Sequence, residues 1–116
     1  MPTSYRDILD STTPLPASNG DRDVTLDFSA PGLIGGTRPY VSYRVTPSGP
    51  VELLIELNGT LIVHDTFQSG TSRVMNEIFP EGVLRTSGNE LRVFVPDDES
   101  GSLTFSDVIV TYPVAA

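Results

Sequence analysis

His64 is the only histidine in the chain, and there is no cysteine to join it. A lone imidazole lacks the partners of a zinc site, and a Ser-His-Asp arrangement needs an orienting carboxylate on the same side. Asp65 beside it points to the other face of the strand that the pattern predicts here, so His64 reads as a packed or rim imidazole. Glu52 and Glu56 are the residue type that glycoside hydrolysis uses in facing pairs, yet they lie along one strand face with no aromatic cleft. Three carboxylates gather at Asp97, Asp98 and Glu99, the hard oxygen ligands that calcium prefers, in a spacing unlike an EF-hand loop. They are the candidate metal ligands; Asn19, Asp21 and Asp23 form a second, weaker cluster. With no Lys and no Cys, Schiff-base and thiol chemistry are excluded. An enzyme is therefore not expected, nor any cofactor beyond a structural calcium ion.

Charge narrows the partners. Fifteen acidic residues face seven basic ones, all arginine, and the net charge of -8 repels phosphate backbones and anionic lipid headgroups. Neither nucleic acid nor membrane is an expected partner. The first twenty residues show no cationic segment followed by an apolar one, as a secretory signal would. The expected location is the cytoplasm, or outside it by export without a classical signal peptide.

The elements that position these groups follow from period-two patterning. Ten Gly and ten Pro punctuate a chain that is 38% apolar, the composition of an all-β protein with many turns. Ser4 to Leu9 reads as a short strand and Thr12 to Gly20 as a loop. Val24, Leu26 and Phe28 alternate with polar residues, as do Val41, Tyr43 and Val45, then Val51, Leu53, Ile55 and Leu57. Asn58-Gly59 predicts a two-residue type I′ turn. An unbroken hairpin register then pairs Ile55 with Ile62, Leu53 with His64 and Glu52 with Asp65, placing His64 toward the core. Val74 and Ile78 are expected inward on the next strand, followed by Leu91, Val93 and Val95. In the last strand the apolar phase changes after Phe105, predicting a bulge near Ser106-Asp107. The expectation is an all-β fold, a two-sheet antiparallel β-sandwich of jelly-roll type with about eight strands. It forms a single domain over 1–116, with 1–20 a loop-rich N-terminal segment.

Three stretches carry a resemblance: Glu52-Leu53-Leu54-Ile55-Glu56-Leu57-Asn58-Gly59, then Phe79-Pro80-Glu81-Gly82-Val83-Leu84, then Gly88-Asn89-Glu90-Leu91-Arg92-Val93. Together they resemble the galactose-binding-domain-like jelly roll, and their order is similar to that in the sugar-binding domain of family 2 glycoside hydrolases. The likeness runs roughly from Val51 to Tyr112 and rests on turn and core residues. It implies glycan recognition through loops at one end of the sandwich, often with a structural calcium. No catalytic residue is implied, because that family's carboxylates sit in a different domain. Sugar-binding members usually offer an exposed Trp or Tyr; this chain has no Trp and four Tyr.

Two functional readings follow. The first is a non-catalytic binding module with lectin-like recognition of a carbohydrate, its candidate ligand-binding residues being Tyr40 and Phe67 for stacking and Arg73 and Asn76 for hydrogen bonds. The second is a structural or assembly protein without a small ligand. It would form a homo-oligomer through an apolar sheet face of Leu54, Leu61, Val63 and Phe94, unless Tyr5, Ile8 and Leu9 fold over that face.

Overall fold

Val51, Leu53, Ile55 and Leu57 are buried while Glu52, Leu54 and Glu56 between them stay partly open, so this strand presents one face to a core and one to water. Each of those four burials stabilises the fold by about 1.5–3 kcal/mol relative to an exposed side chain. The same alternation builds the rest of the chain. The structure, a computed structural model, describes residues 2–35, 38–96 and 101–115. Nine strands run in order: β1 (Thr3–Leu9), β2 (Thr13–Leu15), β3 (Asp23–Phe28), β4 (Tyr40–Ser48), β5 (Val51–Leu57), β6 (Thr60–Phe67), β7 (Arg73–Ile78), β8 (Asn89–Phe94) and β9 (Ser102–Pro113). The larger sheet has the order β1-β9-β4-β7, with β2 also paired to β9; the smaller has the order β3-β8-β5-β6. All pairings are antiparallel. The two sheets share one buried cluster, to which Val41, Tyr43, Val45, Leu91, Val93, Val108, Val110 and Tyr112 contribute as the pattern predicts. The expected sandwich is present, with one more strand than anticipated because β2 lies within the stretch read as a loop.

Two edge strands depart from their expected phase, and in each an aromatic residue sets the parity. Phe79, just beyond β7, is wholly buried, with its amide donating to the Pro39 carbonyl at 2.8 Å. Counting back by twos turns Glu77, Met75 and Arg73 toward the interior and Ile78, Asn76 and Val74 toward solvent. Val74 and Ile78 are thus exposed, not inward. In β6, Phe67 is buried against Val51, which puts Asp65 and Val63 on the inward side. The turn end keeps the expected pairs Leu57 with Thr60 and Glu56 with Leu61, and a register shift between Ile55 and Glu56 absorbs the one-residue conflict. Val63 therefore faces Ile55 in the core, and His64 moves out opposite Leu54. Its Nε2 lies 3.1 Å from Glu52 Oε2, and Glu52 no longer faces Asp65. In β9 the expected bulge is present: Asp107 has φ 53° and the register with β4 shifts between Ser42 and Arg44.

The turns are held by two asparagines. Asn58 and Gly59 have φ of 53° and 84°, the left-handed pair that a type I′ turn requires. The Asn58 Nδ2 donates to the Val83 carbonyl at 2.9 Å and to Asn89 Oδ1 at 3.0 Å, while its Oδ1 accepts from the Glu90 amide at 2.8 Å. Asn89 is buried, accepts from the Arg85 amide at 2.9 Å and donates to the Arg85 carbonyl at 2.7 Å. These bonds fasten the β5–β6 turn, the 79–86 connection and the start of β8 into one unit. Asn89→Ala would remove both side-chain partners of the Arg85 amide and carbonyl, which are part-buried, and is expected to cost about 1–3 kcal/mol in urea unfolding. Gly101 lies so close to Gly49 and Pro50 that an added Cβ would overlap the Pro50 carbonyl oxygen. Gly101→Ala is expected to lower stability by about 1–3 kcal/mol in the same measurement.

Tyr43 gives a pH signature. Burial, then the negative charges of Asp65 and Glu77, push its phenol far above the ordinary value of 10.0. A raised folded-state value means that the native state holds the proton more tightly than the unfolded chain. Stability from this group is therefore complete below the unfolded value and declines as pH rises beyond it. The chain has no Lys and no Cys to add their own titration in that range. The urea midpoint is expected to fall above about pH 10, and Tyr43→Phe to flatten that decline.

Candidate binding face

Opposed residues of an antiparallel pair share a face, so the registers of the larger sheet assemble its outward surface row by row. Tyr5 on β1, Thr111 on β9, Tyr40 on β4 and Ile78 on β7 form one row. Asp7, Ile109, Ser42 and Asn76 form the next, and Arg44 with Val74 continues it. Five large apolar side chains are exposed among the described residues, and four of them lie on this face: Tyr5 (67%), Tyr40 (38%), Val74 (55%) and Ile78 (57%). Interstrand spacing puts Tyr5 and Tyr40, with β9 between them, about 10 Å apart. The result is a broad apolar strip with hydroxyl, amide and carboxylate groups along one side.

Local folding explains each placement. The buried run Val41, Tyr43, Val45 forces Tyr40, Ser42 and Arg44 outward. The β9 bulge turns Asp107 to the same surface, where its Oδ2 lies 3.5 Å from Arg44 Nε. Arg44 Nη1 also donates to Ser72 Oγ at 3.3 Å, so the cation is already engaged at one end of the strip. Asn76, with neighbours Ser42 across the strand and Val74 and Ile78 along it, has no side-chain bond inside the described residues and offers an amide to solvent.

Of the four ligand residues expected from sequence, Tyr40 and Asn76 come together on this face and the other two do not. Phe67 is a core residue at 3% exposure, because it fixes the phase of β6, and cannot serve as an external stacking surface. Arg73 lies on the opposite side of β7, with its guanidinium 5.6 Å from the Phe67 ring centre. Tyr5, Ile78, Val74 and Ile109 were not anticipated here. Tyr5, which the sequence offers only as an alternative cover for the Leu54, Leu61 and Val63 face, is instead carried to the larger sheet's outer surface because β1 pairs beside β9.

The smaller sheet's outer face is different in kind. Val63 is absent from it, being in the core at 3% exposure. Leu54 and Phe94 are half-buried neighbours, and the Arg92 guanidinium covers the Phe94 ring at 4.0 Å. Arg92 also reaches Asp23 Oδ2 at 3.0 Å and Glu56 Oε1 at 3.6 Å. Only Leu61 of the expected interface is exposed, at 48%. The surface is a lattice of carboxylates around one arginine rather than a continuous apolar patch. Glu52 and Glu56 are each engaged by a neighbour, His64 and Arg92, and face no cleft.

Asp97, Asp98 and Glu99, the expected metal ligands, lie outside the described residues. Among the described residues no group of three or more His, Asp or Glu is placed to hold a metal ion. In the weaker cluster, Asn19 Nδ2 donates to Asp21 Oδ2 at 3.0 Å and the Asp21 amide donates to Asn19 Oδ1 at 3.0 Å, while Asp23 is held by Arg92.

Substitution separates these assignments. Val74→Thr and Ile78→Thr are expected to change unfolding free energy by less than about 0.5 kcal/mol, whereas Phe67→Ala is expected to cost about 3–5 kcal/mol. Urea titration of the three variants checks the inverted phase of β7 against the inward phase of β6.

No protein-family model matches the chain, and no curated protein sequence does. Solved structures do resemble it. A family 29 carbohydrate-binding module from Piromyces equi superposes with TM-score 0.60 at 7% identity, over 97% of this chain and 93% of that one. The carbohydrate-binding module CBM36 in complex with calcium and xylotriose gives 0.53 at 11% identity, over 96% and 99%. Dimeric latent PorU from Porphyromonas gingivalis gives 0.59 at 16% identity, over 95% of this chain and 11% of that one. The chain thus shares the jelly-roll β-sandwich of carbohydrate-binding modules, a fold also found within a much larger protein.

Proposed function

We propose that this chain is a non-catalytic carbohydrate-binding module that lays its glycan on the outward face of the larger sheet. The observation that carries this reading is the row Tyr5, Thr111, Tyr40, Ile78, which gathers exposed rings and an apolar edge beside a row of polar groups. A pyranose ring has an apolar face that stacks on an aromatic ring and an equatorial rim of hydroxyls that needs hydrogen-bond partners. Tyr40 and Tyr5 supply the rings, and Asn76, Ser42 and Asp7 in the adjoining row supply the partners. The resemblance in fold to modules described as carbohydrate-binding, one of them in complex with xylotriose, supports the same reading. The site proposed is a sheet face rather than the loops at one end of the sandwich.

A closer tie to the sugar-binding domain of family 2 glycoside hydrolases rests on Asn58-Gly59 and Gly88-Asn89. Both pairs have a structural explanation in the bonds that fasten the turns, so they add nothing to the choice of ligand. Calcium enters as a condition of the assay, since the carboxylates that suggest it are Asp97, Asp98 and Glu99.

Titration calorimetry against neutral oligosaccharides, beginning with xylotriose and run with and without calcium, tests the proposal. Tyr40→Ala is expected to weaken the best ligand about tenfold or more, as truncating a central anchor does. Phe94→Ala on the other sheet is expected to leave affinity unchanged. No heat with any glycan under either condition, or binding indifferent to Tyr40→Ala, would refute the assignment.

A further inference from the structure

We propose that two copies of this chain pair antiparallel through their β7 strands, Met75 opposite Met75, joining their larger sheets across a two-fold axis. β7 ends that sheet, no described strand pairs with its far side, and five of its six residues are exposed. Such an edge is a template for another strand unless the protein guards it.

The other edges are guarded. β6 is bent by the register shift beside Ile55 and Glu56, and β1 by a shift between Asp7 and Leu9. β2 is three residues long with Pro14 at its centre. β3 carries Asp23 and Asp27 symmetrically about Thr25, so a self-paired β3 would set like charges opposite each other twice. β7 has no proline, and its pairing with β4 is continuous from Arg73 to Ile78.

Pleating and charge together select one register. Opposed residues must share a face, so any register that sets Val74 against Glu77 is excluded, because the first points out and the second in. Centring the axis on Met75 places Arg73 of each copy opposite Glu77 of the other, giving two opposite-charge pairs from one strand. Centring it on Asn76 instead sets Met75 against Glu77 and leaves both charges without those partners. The planar Arg73 guanidinium can keep its stack on Phe67 while a carboxylate approaches its edge. An isologous contact of this kind closes on itself and forms a dimer rather than a fibre. It would also place the two Tyr40 rings on one continuous surface, about 25 Å apart, three interstrand steps across and six residues along the strands.

Sedimentation velocity from micromolar to millimolar protein tests the contact without any glycan, so its outcome is separate from that of the binding proposal. The wild type is expected to show a reversible monomer–dimer equilibrium. Arg73→Glu or Glu77→Arg alone should weaken it about tenfold or more, and the two substitutions together should restore it. Because the chain has no cysteine, Met75→Cys supplies a single thiol. Opposed Cα atoms at about 4.5–5.5 Å fall within disulfide reach, so this variant should cross-link under mild oxidation much faster than Asn76→Cys. A monomer at every concentration, a dimer that both single reversals leave intact, or equal cross-linking of the two thiol variants would overturn the proposal.

Discussion

Two buried phenylalanines at the margins of the sandwich decide what its surfaces display. A strand can turn only alternate residues inward, so sinking Phe67 and Phe79 commits every neighbour within reach to one side or the other. On β7 this sends two β-branched residues into water and draws Arg73 and Glu77 to the inner side, the reverse of what their polarity alone would favour. On β6 the same demand conflicts with the parity set by the Asn58-Gly59 turn, and the chain answers with a bulge. One large ring buried at an edge outweighs two smaller side chains left exposed there, since burial energy grows with the apolar area removed from water.

The two outer faces that result have opposite characters. On the smaller sheet, Arg92 stacks over Phe94 and links Asp23 with Glu56, while His64 meets Glu52, so its polar groups are spent on one another. On the larger sheet, rings and branched aliphatic groups lie open beside an amide and hydroxyls, and the Arg44 guanidinium with Asp107 and Ser72 is tied at one end. The first kind of surface suits solubility. The second is suited to holding a flat, amphipathic molecule that presents both an apolar face and a polar rim.

The turn residues that suggest a glycan-binding relative have another task. Asn58 adopts the left-handed backbone that its turn requires and uses its side chain to reach Val83, Asn89 and Glu90. Asn89, buried at the start of β8, closes the circuit through Arg85. A sandwich with one covered end needs some such device, because the 79–86 connection has backbone groups and no regular strand to satisfy them. The motif is therefore a signature of how this fold is fastened. Chains with unrelated ligands can share it.

The sequence by itself determined the all-β class, the two-layered sandwich, the inward residues of β4, β5, β8 and β9, the Asn58-Gly59 turn and the bulge at Asp107, because each is written in local alternation or turn chemistry. It also marked Tyr40 and Asn76, which lie together on the larger sheet's outer face. Only the tertiary structure decided the company they keep. Tyr5 reaches that face through the pairing of β1 with β9, a contact more than a hundred residues apart in the chain. Val74 and Ile78 reach it because Phe79 outcompetes them for the interior, and Val63, Phe67 and Arg73 leave the surfaces first assigned to them through the same parity rule. Alternation reveals which residues share a side of a strand. It does not reveal which side the core will claim when both carry apolar groups, for that depends on the area each can bury against strands distant in sequence.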